Sequence, residues 1–157
     1  MFNNYNQKFS KLKEYLLENF LLGKLSMHGP SHWDRVLENG LLIAKEDSNI
    51  DKLIIILFSY IHDSKRLDEY TDAKHGERAA SSIEELEKLK LININHKQKE
   101  ILHFAVKNHN KGNKSQNPTI GACWDADRLE LNRVGIFPSA EFFSTKGGLK
   151  ILRERFY

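Results

Sequence analysis

Cysteine is nearly absent: Cys123 stands alone, so no internal disulfide can form, and a reducing compartment fits that composition. Long apolar runs are missing as well. The longest, Leu53 to Phe58, falls far short of the roughly 20 residues that a membrane-spanning helix needs. Neither sign of charge dominates, because 24 basic and 21 acidic residues leave a formal net charge of +3 with the signs interspersed. That balance argues against a nucleic-acid-binding face, and no membrane partner is expected. The first residues, MFNNYNQKFS, lack an apolar segment, so no secretory signal is expected and the expected location is cytoplasmic. Internal repeats, low-complexity tracts and a nucleobase-binding motif are not found either.

What is present is helical patterning. Hydrophobic residues make up 40% of the 157 positions and aromatics 10%, enough for one substantial core in a single domain spanning 1–157. Phe9, Leu12, Leu16 and Phe20 predict a first helix that closes near Gly23. After Pro30, Ser31 with Asp34 reads as a capping box opening a second helix through Val36, Leu37, Leu41 and Ala44, and Ser48 with Asp51 repeats the device. The next helix, DKLIIILFSYIHD, is apolar on nearly every side and belongs at the centre of a bundle. A fourth is predicted from about Asp72 to Lys90 with Ala79, Ile83, Leu86 and Leu89 inward. Asn95 caps a fifth, through Ile101, Leu102, Ala105 and Val106. Asn117 and Pro118 end a turn-rich loop as cap and first helical position of a sixth helix, which holds GACWDADRLELNRVG, residues 121–135. A terminal helix from about Leu149 to Phe156 completes an all-α bundle of about six to seven helices.

Three acids and histidines break the apolar pattern. Asp127 lies on one stripe with Ile120, Cys123, Trp124 and Leu131, and the doublet His62-Asp63 ends the most apolar helix of the chain. An unpaired buried carboxylate costs several kcal/mol or more, so each needs a cation, strong hydrogen bonds or a proton. A metal ion would satisfy both acids together, with His32 as a third ligand and an imidazole–carboxylate mixture that suits a divalent transition metal. A structural ion pair of Asp127 with Arg128, Arg35 or Arg133 is the competing explanation.

His32 in HGPSHWDRV, His62-Asp63 in FSYIHDSKR and Asp127 in CWDADRLEL, in that order, give the chain a resemblance to the HD-domain superfamily of metal-dependent phosphohydrolases. It runs from about residue 28 to 136, and CWDADRLELNRVGI is similar to bacterial members described only as predicted hydrolases. The resemblance implies one divalent metal (Mn, Fe, Co, Ni or Zn) on His32, His62, Asp63 and Asp127, acting as Lewis acid on a phosphate oxygen and activating water, with Asp63 helping to hold that water. Lys65 and Arg66, just past the doublet, are candidates to grip phosphate, followed by Arg35 and Arg128. Some superfamily members hold two metals with extra histidines; here His75 and His109 stand where such ligands, or phosphate contacts, would come from. His103 is a weaker candidate, and His28 and His96 are read as loop or cap residues, although HGPSH puts His28 near the pocket.

The implied activity is hydrolysis of a phosphate ester or phosphoanhydride of a nucleotide or other small phosphorylated metabolite, by a monomer or homodimer. Trp33, Tyr60, Tyr70 and Trp124 offer a stacking surface, or simply core. The alternatives are an oxygenase, since inositol-oxygenase-like proteins hold two irons on the same scaffold, and a regulatory module that binds a nucleotide without turning it over. Residues 137–157, with FPSAEFFSTKGG, are read as packing, a flap over the pocket or a dimer contact, followed by the terminal helix.

Overall fold

The computed structural model describes residues 7–157, which form helices and, among the described residues, no strand. The part of the polar N-terminal stretch at residues 1–6 lies outside them. The helices are α1 (Ser10–Glu18), α2 (Pro30–Ile43), α3 (Lys52–Ile61), α4 (His75–Ser81), α5 (Ile83–Lys88), α6 (His96–Asn108), α7 (Pro118–Arg128) and α8 (Lys146–Phe156). Short 3-10 turns lie at His109–Lys111, Leu131–Val134 and Ala140–Phe142.

α3 is the axis of the bundle, because an apolar helix with no polar face must be enclosed on all sides. Every residue from Ile54 to Ile61 is buried, and α2, α6 and α7 pack around it. Gly40 lets α2 lie against α3, where a Cβ would stand 2.4 Å from Ile55 Cγ2. Two buried polar ties cross between helices: Trp124 Nε1 donates to Ala105 O at 2.9 Å, joining α7 to α6, and Asn39 Nδ2 donates to Ala126 O at 3.1 Å, joining α2 to α7.

Several local expectations change. Pro30 is the first residue of α2 and the extended Gly29 its cap, so Ser31 and Asp34 are already helical and make no capping box. Ser31 Oγ instead accepts from Arg35 Nη1, and Asp34 pairs with Lys13. Ser48 and Asp51 make no box either; Asp51 is itself the cap of α3, accepting from Leu53 N and Ile54 N. The helix predicted over 72–90 begins only at His75 and breaks at Ser82, so α4 and α5 form one bent unit, and Leu89 is exposed. Taken as one, they make seven helices among the described residues. α7 stops at Arg128 rather than Gly135, the remainder tightening into a 3-10 turn closed by Gly135 at φ 78°. α8 starts at Lys146, capped by the Thr145 side chain. The Asn95 capping box with Gln98 and the Asn117 cap with Pro118 at the first position are found as read. No helix among the described residues is long and apolar enough to cross a membrane.

Candidate metal centre

Helix ends, rather than helix middles, supply the polar groups at the heart of the bundle. His32 sits in the first turn of α2, His62 caps the C-terminus of α3 with Asp63 just beyond, and His75 opens α4. His109 caps α6, and Asp127 lies in the last turn of α7. His32 and His62 are fully buried, Asp63, His75 and His109 nearly so, and Asp127 keeps a side-chain exposure of 16%. Gly76 makes the α4–α6 approach feasible, since a Cβ there would meet Val106 O at 2.8 Å and Lys107 O at 2.9 Å. That close contact sets His75 Nε2 2.9 Å from His109 Nε2.

Asp63 joins two groups of donors. Its Oδ1 is 3.1 Å from His75 Nε2 and 3.4 Å from His109 Nε2. Its Oδ2 is 3.5 Å from His32 Nε2 and 3.7 Å from His62 Nε2. Asp127 Oδ1 completes the second group, 3.2 Å from His32 Nε2 and 3.7 Å from His62 Nε2. Donors held about 2.1 Å from one ion stand roughly 3.0–3.4 Å apart along the edges of an octahedron or tetrahedron, close to the 3.1–3.7 Å between these atoms.

The outer ring nitrogens show that the inner ones present lone pairs. His62 Nδ1 faces Phe58 O and Ser59 O, both at 3.1 Å, His75 Nδ1 faces Asp72 O at 2.5 Å, and His109 Nδ1 faces Val106 O at 2.7 Å. A carbonyl can only accept, so each Nδ1 carries the hydrogen and, in the neutral ring, each Nε2 is bare. Carbonyl oxygens behind the imidazoles also orient them, as they do behind metal-bound histidines. His32 Nε2 and His62 Nε2 nevertheless approach to 3.1 Å, and both face carboxylate oxygens. Lone pairs converging in a buried space repel unless a cation lies among them. These buried His and Asp groups could therefore hold a metal ion.

Electrostatics point the same way. Burial pushes Asp63 upward, but its contacts with His62, His109, His28 and His75 prevail and hold it well below the usual carboxylate range. Burial likewise acts against Asp127, and its contacts with His32 and His62 overturn it, leaving that carboxyl well below its ordinary value. Burial lowers His32 to about 4 against the opposing pull of Asp127, so it is neutral near pH 7, the form a metal requires. His32 Nδ1 is buried without a hydrogen-bond partner.

His28, read from the sequence as a loop or cap residue, belongs to this centre. It is buried, its Nδ1 is 2.9 Å from Asp63 Oδ2, and its Nε2 is 3.0 Å from Glu69 O. Arg133 was noted only as a salt-bridge partner for Asp127; instead its Nη2 lies 3.2 Å from His28 Nδ1 and 3.8 Å from Asp63 Oδ2. No periodicity marked either residue, because both reach the site from segments outside the α-helices. Arg66 is buried at the cavity edge, 3.9 Å from Asp63 Oδ1 and 3.4 Å from the His75 ring nitrogens.

Other candidates are placed elsewhere. Lys65 is half-buried and not among the cavity-lining residues, its carbonyl accepting from Arg78 Nε. Arg35 is locked to Glu130, Nε to Oε2 at 2.5 Å, away from the cavity. Arg128 does line it, but its guanidinium donates to Phe142 O and Asn113 O. His96 and His103 are exposed. Of the aromatic candidates, Trp33, Tyr60 and Trp124 are core and only Tyr70 lines the cavity. In the segment expected to pack, cover the pocket or meet a partner, Ser139, Phe142 and Phe143 line the cavity, while Phe137 meets Phe156 and Tyr157 edge to face. Asp125, the acid most fully buried, is not a ligand; it accepts from Ser144 N, Thr145 N and Thr145 Oγ1, tying α7 to the start of α8.

Comparison of the chain with protein-family models, with curated proteins and with solved structures finds no match.

Proposed function

We propose that this chain is a metal-dependent phosphohydrolase of the HD-domain type, cleaving a phosphate ester or phosphoanhydride of a small phosphorylated metabolite. The observation that carries the reading is the position of Asp63, whose two carboxylate oxygens face different sets of histidine Nε2 atoms. His32, His62, Asp63 and Asp127 would hold one divalent transition metal, and Asp63, His75 and His109 a second. Such ions supply Lewis acidity toward a phosphoryl oxygen and lower the pKa of water at the site. The chain's own part is positional. Carbonyls of Phe58, Asp72 and Val106 fix three imidazoles, His28 and Arg133 steady Asp63, and Arg66 presents a guanidinium to an incoming phosphoryl group.

One observation favours a second reading. With His75 and His109 drawn to Asp63, six ligands are available, the set that the di-iron oxygenase alternative requires. Protein purified without chelator, with Asp127→Ala beside it, decides between them through elemental analysis followed by a phosphate-ester screen. Metal-dependent release of inorganic phosphate, retained under strict anaerobiosis, is the expected result. Iron-loaded protein that releases no phosphate yet turns over a substrate with oxygen would establish the oxygenase. Equal metal in wild type and Asp127→Ala would remove Asp127 from the ligand set, and no metal in either would remove the metal centre.

A further inference from the structure

The cavity beside the cluster has two unlike faces. Its volume of about 520 Å³ falls in the range of pockets that enclose a drug-sized organic ligand. One end holds Asp63, His75, His109, Asp127 and Arg66. The stretch from Leu131 to Phe142 lines the same cavity with Leu131, Val134, Ile136 and Phe142, alongside Arg133 and Ser139. Ile136 is 54% exposed and Phe142 43% exposed, so apolar surface is left uncovered beside a polar centre. This wall is anchored, because Arg128 donates to Phe142 O and to Asn113 O, both at 2.5 Å, and Gly135 at φ 78° turns the chain within it.

Charge is limited at the polar end. No lysine lines the cavity among the described residues. Of its three arginines, Arg128 is committed to those two carbonyls, and Arg133 donates to Met27 O and Glu130 O with its third nitrogen against His28. Arg66, whose Nε donates to Asp68 O, is left as the guanidinium whose Nη1 faces Asp63 and His75. A polyphosphate chain has several anionic oxygens that need cationic partners, whereas one phosphoryl group is matched by the metal centre and a single arginine. The side chains of Leu131, Val134, Ile136 and Phe142 carry no hydrogen-bonding group and suit an alkyl body, while Tyr70, Thr71, Asn110 and Ser139 supply the polar groups elsewhere in the lining.

Building on the phosphohydrolase reading, we infer that the substrate is a monoester of a single phosphoryl group whose leaving alcohol has an apolar aliphatic body lying along Leu131, Val134, Ile136 and Phe142. In the reaction a water oxygen bonds to phosphorus, the bond from phosphorus to the ester oxygen breaks, and the alcohol departs with a proton, leaving inorganic phosphate.

The test uses transition-metal-loaded full-length protein in two arms. In the first, methyl-, butyl- and octylphosphonate, which cannot be hydrolysed, are titrated by calorimetry. In the second, the matching alkyl phosphates, a nucleoside monophosphate and a nucleoside triphosphate are assayed for phosphate release. A fully buried methylene is worth about fourfold in affinity, so octylphosphonate on this partly open wall should bind about tenfold or more tighter than butylphosphonate. The same trend should appear in kcat/KM, and Ile136→Ser and Phe142→Ser should each flatten it. Both positions are substantially exposed, so the variants are expected to fold, which circular dichroism checks. Phosphate release with no dependence on chain length, or with either nucleotide preferred over octyl phosphate, overturns the inference and leaves the phosphohydrolase standing. Chain-length-dependent phosphonate binding with no phosphate released from any ester overturns both, while showing that the apolar wall does bind ligand.

Discussion

At Asp63 one carboxylate meets histidines from four segments of the chain, with His28, His32 and His62 on one oxygen and His75 and His109 on the other. Removing it should therefore cost more metal than removing any terminal ligand. Asp63→Ala is expected to bind no ion, and Asp127→Ala to lose one while keeping the other on the His75 side, as elemental analysis would show. His28→Ala, which takes away only a support of Asp63, should weaken metal binding by roughly tenfold to a hundredfold. Retention of both ions in Asp63→Ala would show that the carboxylate is not shared. Away from the centre, burial, reinforced by Asp34, raises the Tyr60 phenol to about 12 from its ordinary 10. The folded state thus holds this proton where the unfolded chain releases it. The contribution is complete below pH 10 and is lost as pH rises toward 12, roughly 2–3 kcal/mol in all. Urea unfolding of wild type and Tyr60→Phe across that window checks it, since the phenylalanine variant should lose this part of the alkaline decline.

Among the elements, α4 and α6 come together at Gly76. A methyl group there would press on the Val106 and Lys107 carbonyls, which are backbone and cannot swing aside. Gly76→Ala should destabilise the fold by about 1–3 kcal/mol. It should also move His75 away from His109 and deplete the second ion while sparing the one on His32, His62 and Asp127. Denaturant midpoints with metal analysis of the same samples report the two effects separately. A normal midpoint with full metal content would mean that α4 can shift without disturbing the pair.

For the molecule as a whole, metal and stability are coupled because the ligands come from α2, the end of α3, α4, α6 and α7. An ion that binds only the folded chain adds about 2.7 kcal/mol when present at a hundred times its dissociation constant. For a chain of this size that corresponds to roughly 5–11 °C in Tm. Chelator treatment should lower Tm by that order, and re-addition of manganese or iron should restore it; an unchanged Tm would mean that the cluster holds no ion in solution.

The all-helical class, the central place of the Ile54–Ile61 helix and the caps at Asn95 and Asn117 follow from sequence alone, since hydrophobic periodicity and capping are local. So does the anomaly of Asp127, an acid on an apolar stripe. The order of His32, His62, Asp63 and Asp127 along the chain could mark them as a set, while their spacing in space could not be read from it. That the cluster divides at Asp63, ties in His28 and leaves Lys65 and Arg35 outside was decided by tertiary packing, while His75 and His109 already stood as candidates in the sequence. The physical reason is range. A capping bond or an apolar stripe is complete within a turn or two of helix, whereas the direction in which Arg35 or His28 reaches depends on partners 95 and 35 residues away, Glu130 and Asp63.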